Sequence, residues 1–133
     1  MIDDYTKYLA IPWKDKGRDY SGCDCWGLVR LFLKDDCGLD LAALDGDYAT
    51  ARDVQAVREL ADREKARWIP IKPQNAQKGD VVELSLSRAD YHVGVMINEK
   101  MVLHIEHGSW PVIALLGGKR IRGRLRGIFR YVG

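Results

Sequence analysis

Gly22-Cys23-Asp24-Cys25-Trp26-Gly27-Leu28-Val29-Arg30-Leu31-Phe32-Leu33 is the stretch from which the fold can be read. Asp24 is a good helix N-cap, because its short carboxylate can accept from the unpaired N–H groups of a first helical turn. The residues after it form an apolar run of helical length, and Asp35, Asp36 and Gly38 end it. A helix apolar nearly all round is one that its neighbours bury. The same stretch puts Cys25 in the first turn, where the positive end of the backbone dipole favours a thiolate. Gly27 is expected to keep that turn free of bulk, so that a peptide can approach.

Upstream, residues 1–24 contain Pro12, Gly17 and Gly22 and read as a short helix followed by a loop. Downstream, residues 50–66 read as a second helix with Val54, Val57, Leu60 and Ala61 on one stripe. Ile69-Pro70-Ile71-Lys72-Pro73 reads as an extended linker. Beyond it come strands: Val81–Leu86 after the Gly79-Asp80 turn, His92–Ile97, Met101–Glu106, Val112–Leu116 and Gly127–Val132. Helices first and consecutive strands after them predict an α+β fold, with the Cys25 helix packed on an antiparallel sheet. A length of 133 residues suits one domain, 1–133, with one core.

Composition narrows the function. The net charge of +2 makes no electrostatic case for nucleic acid. The run Lys119 to Arg126 is basic; it reads as a solvated hairpin or a charge-protected edge strand, with contact to an anionic polymer as the alternative. No aromatic residues interleave in it to stack on bases. No apolar run approaches the roughly 20 residues of a membrane span, and the start Met-Ile-Asp-Asp-Tyr lacks the pattern of a signal peptide, so synthesis in the cytoplasm is expected. Three cysteines, Cys23, Cys25 and Cys37, are an odd number, which argues against a disulfide framework.

There are three histidines, His92, His104 and His107. A hairpin centred on Glu99 pairs His92 with Glu106 and Gly94 with His104. Val93, Val95, Ile97, Met101, Leu103 and Ile105 then share one apolar face, and His92, Gly94, Met96, Val102, His104 and Glu106 share the other. The two histidines become diagonal neighbours whose rings can meet. A slip of one residue would expose the apolar face, which argues for this register. His92 is then placed to take the Cys25 proton as general base, with His104 fixing its tautomer. Gly94 is expected to leave room beside His104 for the Cys25 end of the helix. Singly, each residue has a plain structural explanation: a buried thiol, a strand-end histidine, a half-buried histidine. Together they favour nucleophilic catalysis. Cys23 is assigned to loop or core, Cys37 to packing, and His107 to the surface beyond the strand. A zinc site on Cys23, Cys25, His92 and His104 is the alternative, though no C-x-x-C knuckle supports it.

Four segments also resemble a known family in order and spacing. Gly22 to Arg30 resembles the Asp-Cys-Ser/Trp-Gly-Leu-Val signature of NlpC-type cell-wall endopeptidases. Lys78-Gly79-Asp80-Val81-Val82, Tyr91-His92-Val93-Gly94-Val95 and Val102-Leu103-His104 resemble its Gly-Asp-Leu-Val, His-Val-Gly-Ile and third-catalytic-residue strands. The resemblance covers residue 8 to about residue 115. Trp26 after the nucleophile and Arg30 after Val29 are similar to the branch found in bacteriophage tail proteins.

The resemblance implies a papain-like α+β fold and a thiol mechanism on Cys25, His92 and His104, with no metal and no cofactor. The substrate it implies is a peptidoglycan stem peptide, cut at a γ-D-glutamyl-diamino acid or related amide bond. Trp13 stands where the family usually has a Tyr that helps form the oxyanion hole; an indole N–H can donate but not accept. Trp13 and Asp24 are the expected oxyanion and substrate contacts. After Leu116 no motif matches. The expectation is thus a peptidase carried to the cell wall on a bacteriophage tail or related particle. The alternatives are a tail-assembly module that keeps the fold, or an acyltransferase or amidase using the same triad.

Overall fold

The computed structural model describes residues 5–41, 59, 62–63, 65–85 and 91–133. The expected helix over residues 50–66 falls almost wholly outside the described residues. Among the described residues no helix is long and apolar enough to cross a membrane.

The chain begins with a single helical turn, α1 (Thr6–Leu9), which seats Tyr8 in the core. The region expected as loop carries a small antiparallel ribbon, β1 (Arg18–Asp19) with β2 (Gly22–Cys23). The long helix α2 (Cys25–Cys37) follows at once. Asp24 is extended at φ −91, ψ −171, and its side chain accepts from the Gly27 N–H at 2.8 Å, which is an N-cap. The helix ends at Gly38, which takes the left-handed conformation at φ 67, ψ 22 and donates its N–H to Leu33. Leu28, Val29, Leu31, Phe32 and Leu33 are buried while Lys34 and Asp35 are exposed, so the apolar girth lies in the N-terminal half.

Six strands form one antiparallel sheet: β3 (Trp68–Pro70), β4 (Val81–Leu84), β5 (His92–Met96), β6 (Met101–His104), β7 (Val112–Leu115) and β8 (Leu125–Tyr131). Their order across the sheet is β3-β8-β4-β5-β6-β7. The β5–β6 register matches the expectation, with Val95 opposite Leu103 and Met96 opposite Val102. Asn98 sets the turn by accepting from the N–H groups of Lys100 and Met101, each at 2.9 Å.

Two expectations are corrected at the far edge. The start of the supposed linker, Ile69 and Pro70, belongs to β3, whose backbone pairs with β8. The basic run leads into β8, which lies between β3 and β4 and is an interior strand, not an edge. The run itself turns over the sheet and buries Ile121 while Arg120 and Arg122 face solvent. Arg130 of β8 grips the buried Asp80 before β4 with two contacts of 2.8 Å, tying the strands at one end.

The sheet has an apolar cluster on each face. On one side α2, with Tyr8 and Ile11, packs on Val81, Val93, Val95, Ile97, Leu103 and Ile105. On the other, Ala76, Leu116 and Ile121 pack with Val82, Leu84, Met96, Val102 and Ile128 of the sheet. The helix therefore docks on the valine face, not against the histidine face as the reading of Gly94 assumed. The physical reason is area: this face is apolar along the whole hairpin and buries surface worth roughly 25 cal/mol per Å², whereas two imidazoles interrupt the other. The space at Gly94 is filled from the next strand, since a Cβ there would come within 2.8 Å of Val102 Cγ1 and 3.1 Å of His104 Cβ.

Gly27 also has a different purpose from the one expected. A Cβ on it would stand 2.1 Å from the Gly17 carbonyl oxygen and 2.9 Å from Cys23 Cβ. Its bareness admits the neighbouring backbone, not a substrate. We expect Gly27→Ala to destabilise the protein by about 1–3 kcal/mol through overpacking against backbone. Gly123→Ala, where a Cβ meets nothing within 4 Å, should be nearly neutral. Urea unfolding midpoints of the two variants check this.

Candidate active site

Cys25 is the first residue of α2 and is partly buried. Its sulfur receives hydrogen bonds from the backbone N–H groups of Val93 and Trp26. Val93 adjoins His92, so the nucleophile candidate meets the sheet at the start of β5. The helix and the histidine side chains lie on opposite faces of the sheet.

The electrostatics of this thiol differ from the expectation of a helix-activated cysteine. Burial pushes Cys25 up to about 12, and the Asp24 carboxylate pushes in the same direction. The N–H groups of Val93 and Trp26 pull it down, as does the more distant Arg18. The residue that caps the helix is itself an anion, and it offsets the positive end that would have favoured a thiolate.

His92 and His104 are 6% and 3% exposed. Their rings stand 5.1 Å apart at 70°, with His92 Nε2 and His104 Nδ1 separated by 2.8 Å. This is the ring-to-ring contact that the hairpin register predicted. Burial holds the pKa of His104 below the usual imidazole range, with Arg124 and Arg120 pushing the same way and Glu106 opposing them. His104 is therefore neutral at pH 7.

The two remaining site expectations divide. Trp13 is half-buried, bridges to Cys23 by backbone pairing, and packs its ring 4.9 Å from that of His107 at 65°. His107 is exposed as expected, but its partnership with Trp13 was not legible from strand parity. Asp24 is 1% exposed. Its carboxylate is engaged by the N–H groups of Gly27 and Lys16 and by Arg18 at 2.7 Å. These contacts give the carboxylate a task at the helix start, beside its expected place near substrate.

Cys23 is fully buried in the cluster under α2, and burial pushes its thiol up to about 12. Cys37, expected in packing, is exposed at the far end of the helix. The four-residue zinc arrangement is not assembled. Among the described residues, His92, His104 and Glu106 do bring ligand atoms within 4.8 Å of one another. As they stand, the two imidazoles are hydrogen-bonded to each other, and a cation could be held only by giving up that bond. Beside them lies a cavity of about 280 Å³, lined by His104, Glu106, Trp110, Arg120 and Arg124 among others.

The profile of the NlpC/P60 family matches residues 11–120. The chain belongs to the NlpC/P60 family. No curated protein matches it. Among solved structures, it is similar to a lipoprotein-like NLP/P60 family protein of Staphylococcus aureus Mu50, at TM-score 0.63 and 21% identity over 96% of this chain and 38% of that one. An NlpC/P60 family protein of Bacillus cereus ATCC 10987 aligns at TM-score 0.62 and 18% identity over 95% and 37%. The NlpC/p60 domain of the peptidoglycan hydrolase SagA aligns at TM-score 0.57 and 18% identity over 94% and 91%. The chain thus spans little more than a third of the first two proteins. These likenesses show the papain-like α+β fold of the family, a few helices packed on an antiparallel sheet.

In this NlpC/P60 chain Asp24 has two opposed effects that can be separated. Asp24→Asn keeps an acceptor for Gly27 but leaves Arg18, 10% exposed, without its counter-charge. It should lower stability by about 1–3 kcal/mol. It should also make Cys25 more acidic, because a neighbouring anion is gone, and so speed its alkylation at alkaline pH. Denaturant unfolding and iodoacetamide rates at pH 9–10 check the two directions.

Proposed function

We propose that this chain is a cysteine peptidase acting on peptidoglycan stem peptides, with Cys25 as nucleophile, His92 as general base and His104 as the residue that orients His92. The observation that carries this is the buried 2.8 Å contact between His92 Nε2 and His104 Nδ1. It assigns Nε2 of His92 to His104, so exchange of a proton with the thiol falls to Nδ1, on a residue whose neighbour Val93 already meets the sulfur. Membership of the family, and a neighbour that is itself named a peptidoglycan hydrolase, support the substrate class.

With its thiol near pKa 12, Cys25 does not ionise unaided at neutral pH. His92 must take the proton. The thiolate then attacks the scissile carbonyl carbon and the carbonyl oxygen becomes an oxyanion. Its donors are the backbone N–H of Cys25, at a helix start where no intrahelical acceptor exists, and the indole N–H of Trp13. His92 returns the proton to the leaving amine as the C–N bond breaks, giving a thioester on Cys25. A water deprotonated by His92 hydrolyses that thioester. The γ-D-glutamyl-diamino acid bond is the expected target.

Trp26 and Arg30 motivate the finer proposal of a bacteriophage tail component. In the fold Arg30 has a local task, donating to the Leu41 carbonyl at 2.7 Å and pairing with Asp40 at 3.2 Å to anchor the chain after α2.

Two outcomes are expected. Iodoacetamide should label Cys25 of the wild type at pH 6–7. A raised thiol pKa keeps the proton on sulfur at every pH below it, so His92→Ala should label only as the pH climbs toward that value. Equal profiles for the two would remove His92 as the base. Purified muropeptides should be cleaved by the wild type, and Cys25→Ala should lose at least about 10³-fold in rate by mass spectrometry. Intact muropeptides with both proteins would instead favour a structural role.

A further inference from the structure

The His92–His104 pair is incomplete as it stands, and the missing part can be deduced from proton positions. For His92 to accept at Nδ1, its own proton must sit on Nε2 and be donated to Nδ1 of His104. His104, which is neutral, must then carry its proton on Nε2. That nitrogen is buried and has no hydrogen-bond partner. A buried donor without an acceptor is costly, and here it is created by the tautomer that catalysis requires. Nε2 is shielded from bulk solvent, so its acceptor has to come from a group at the lining of the adjoining cavity.

The carboxylate that stands beside the pair is that of Glu106. Its carboxylate lies within 4.8 Å of a ring nitrogen of both histidines. It is paired with the guanidinium of Arg124 and is half-exposed. Burial opposes its ionised form, but the bond and charge of Arg124 prevail and hold its carboxyl below the usual carboxylate range. Resting on the Cys25–His92 reading above, we propose that Glu106 is a positioning residue of the same site: it accepts from His104 Nε2–H, directly or through one water, and supplies the negative charge that compensates the imidazolium formed on His92. Neutral His104 fixes orientation but brings no charge. One proton moves, from Cys25 Sγ to His92 Nδ1; His104 keeps its Nε2 proton and Glu106 stays an unprotonated carboxylate.

The other charges around the pair do not replace it. Arg124 and Arg120 face His104 and oppose an imidazolium. Asp24 lies on the thiol side and is held by Arg18. Glu83 of β4 is opposite Val93 on the helix-covered face, where Tyr91 donates to it at 3.3 Å.

The test is the pH profile of Cys25 alkylation in the full chain, for the wild type, Glu106→Gln and Glu106→Asp, beside their unfolding midpoints. Glu106→Gln should lower the neutral-pH plateau about tenfold, the effect of about one unit on the imidazolium. Glu106→Asp should restore part of it, and both should unfold at nearly the wild-type midpoint because the side chain is half-exposed. A Glu106→Gln plateau equal to that of the wild type would overturn this role and leave the Cys25–His92 pair standing. A wild type with no plateau at neutral pH would overturn the pair, and this role with it. If Glu106→Gln unfolds early, Glu106→Asp alone decides: a plateau fully equal to the wild type with carboxylate reach shortened by a methylene sinks the proposal, and a severalfold loss supports it.

Discussion

The structure depends on one junction, the Asp24 carboxylate at the start of α2. Three groups converge on it: the Gly27 N–H inside the helix, the Lys16 N–H and the Arg18 guanidinium from the preceding ribbon. Together they fix where the helix begins, how the N-terminal segment folds back on it, and therefore where Cys25 stands. The bare Gly17, Gly22 and Gly27 make that convergence possible, since a Cβ on each would collide within 3 Å of its neighbour. Backbone is packed against backbone here, so the position of the sulfur is set with little freedom.

The same junction creates an electrostatic conflict. Burial penalises an anion on the sulfur of the proposed nucleophile, and the anion that starts the helix adds to that penalty. A thiol of this kind is inert alone, which protects it from adventitious chemistry and makes its reactivity conditional on an imidazole. The histidine pair answers this from the other side of the sheet. It is buried, rigidly oriented through the β5–β6 register, and flanked by a carboxylate and two arginines whose balance sets how readily the ring can carry charge.

Much of this was legible in the residues because it depends on short-range rules. The cap at Asp24, the stop at Gly38 and the hairpin register are local matters of hydrogen-bond geometry, side-chain alternation and turn chemistry. Parity alone placed His92, His104 and Glu106 on one face. What misled was the assumption that the helix must lie on the same face as the histidines. The hairpin has an apolar face and a histidine face, and the helix took the former because burial of apolar area outweighs proximity of two polar groups. The edge of the sheet was misjudged for a similar reason. A short Trp-Ile-Pro segment and an arginine-rich one look like linker and solvated edge, yet pairing with each other and with β4 makes them the outermost and an interior strand.

The sequence by itself determined the elements that carry chemistry: a cysteine at a capped helix start, two histidines in register, and the family to which their spacing belongs. Only the tertiary structure decided their electrostatic state. Whether Cys25 is acidified or suppressed, whether His104 is charged, and which groups hold the Asp24 carboxylate all depend on what lies within a few ångströms and how much water is excluded. Those quantities arise from contacts between residues far apart in the chain, such as Glu106 with Arg124 and Val93 with Cys25. Short-range patterns carry no information about them, because the Coulomb energy of a pair depends on its separation in space and on the local dielectric.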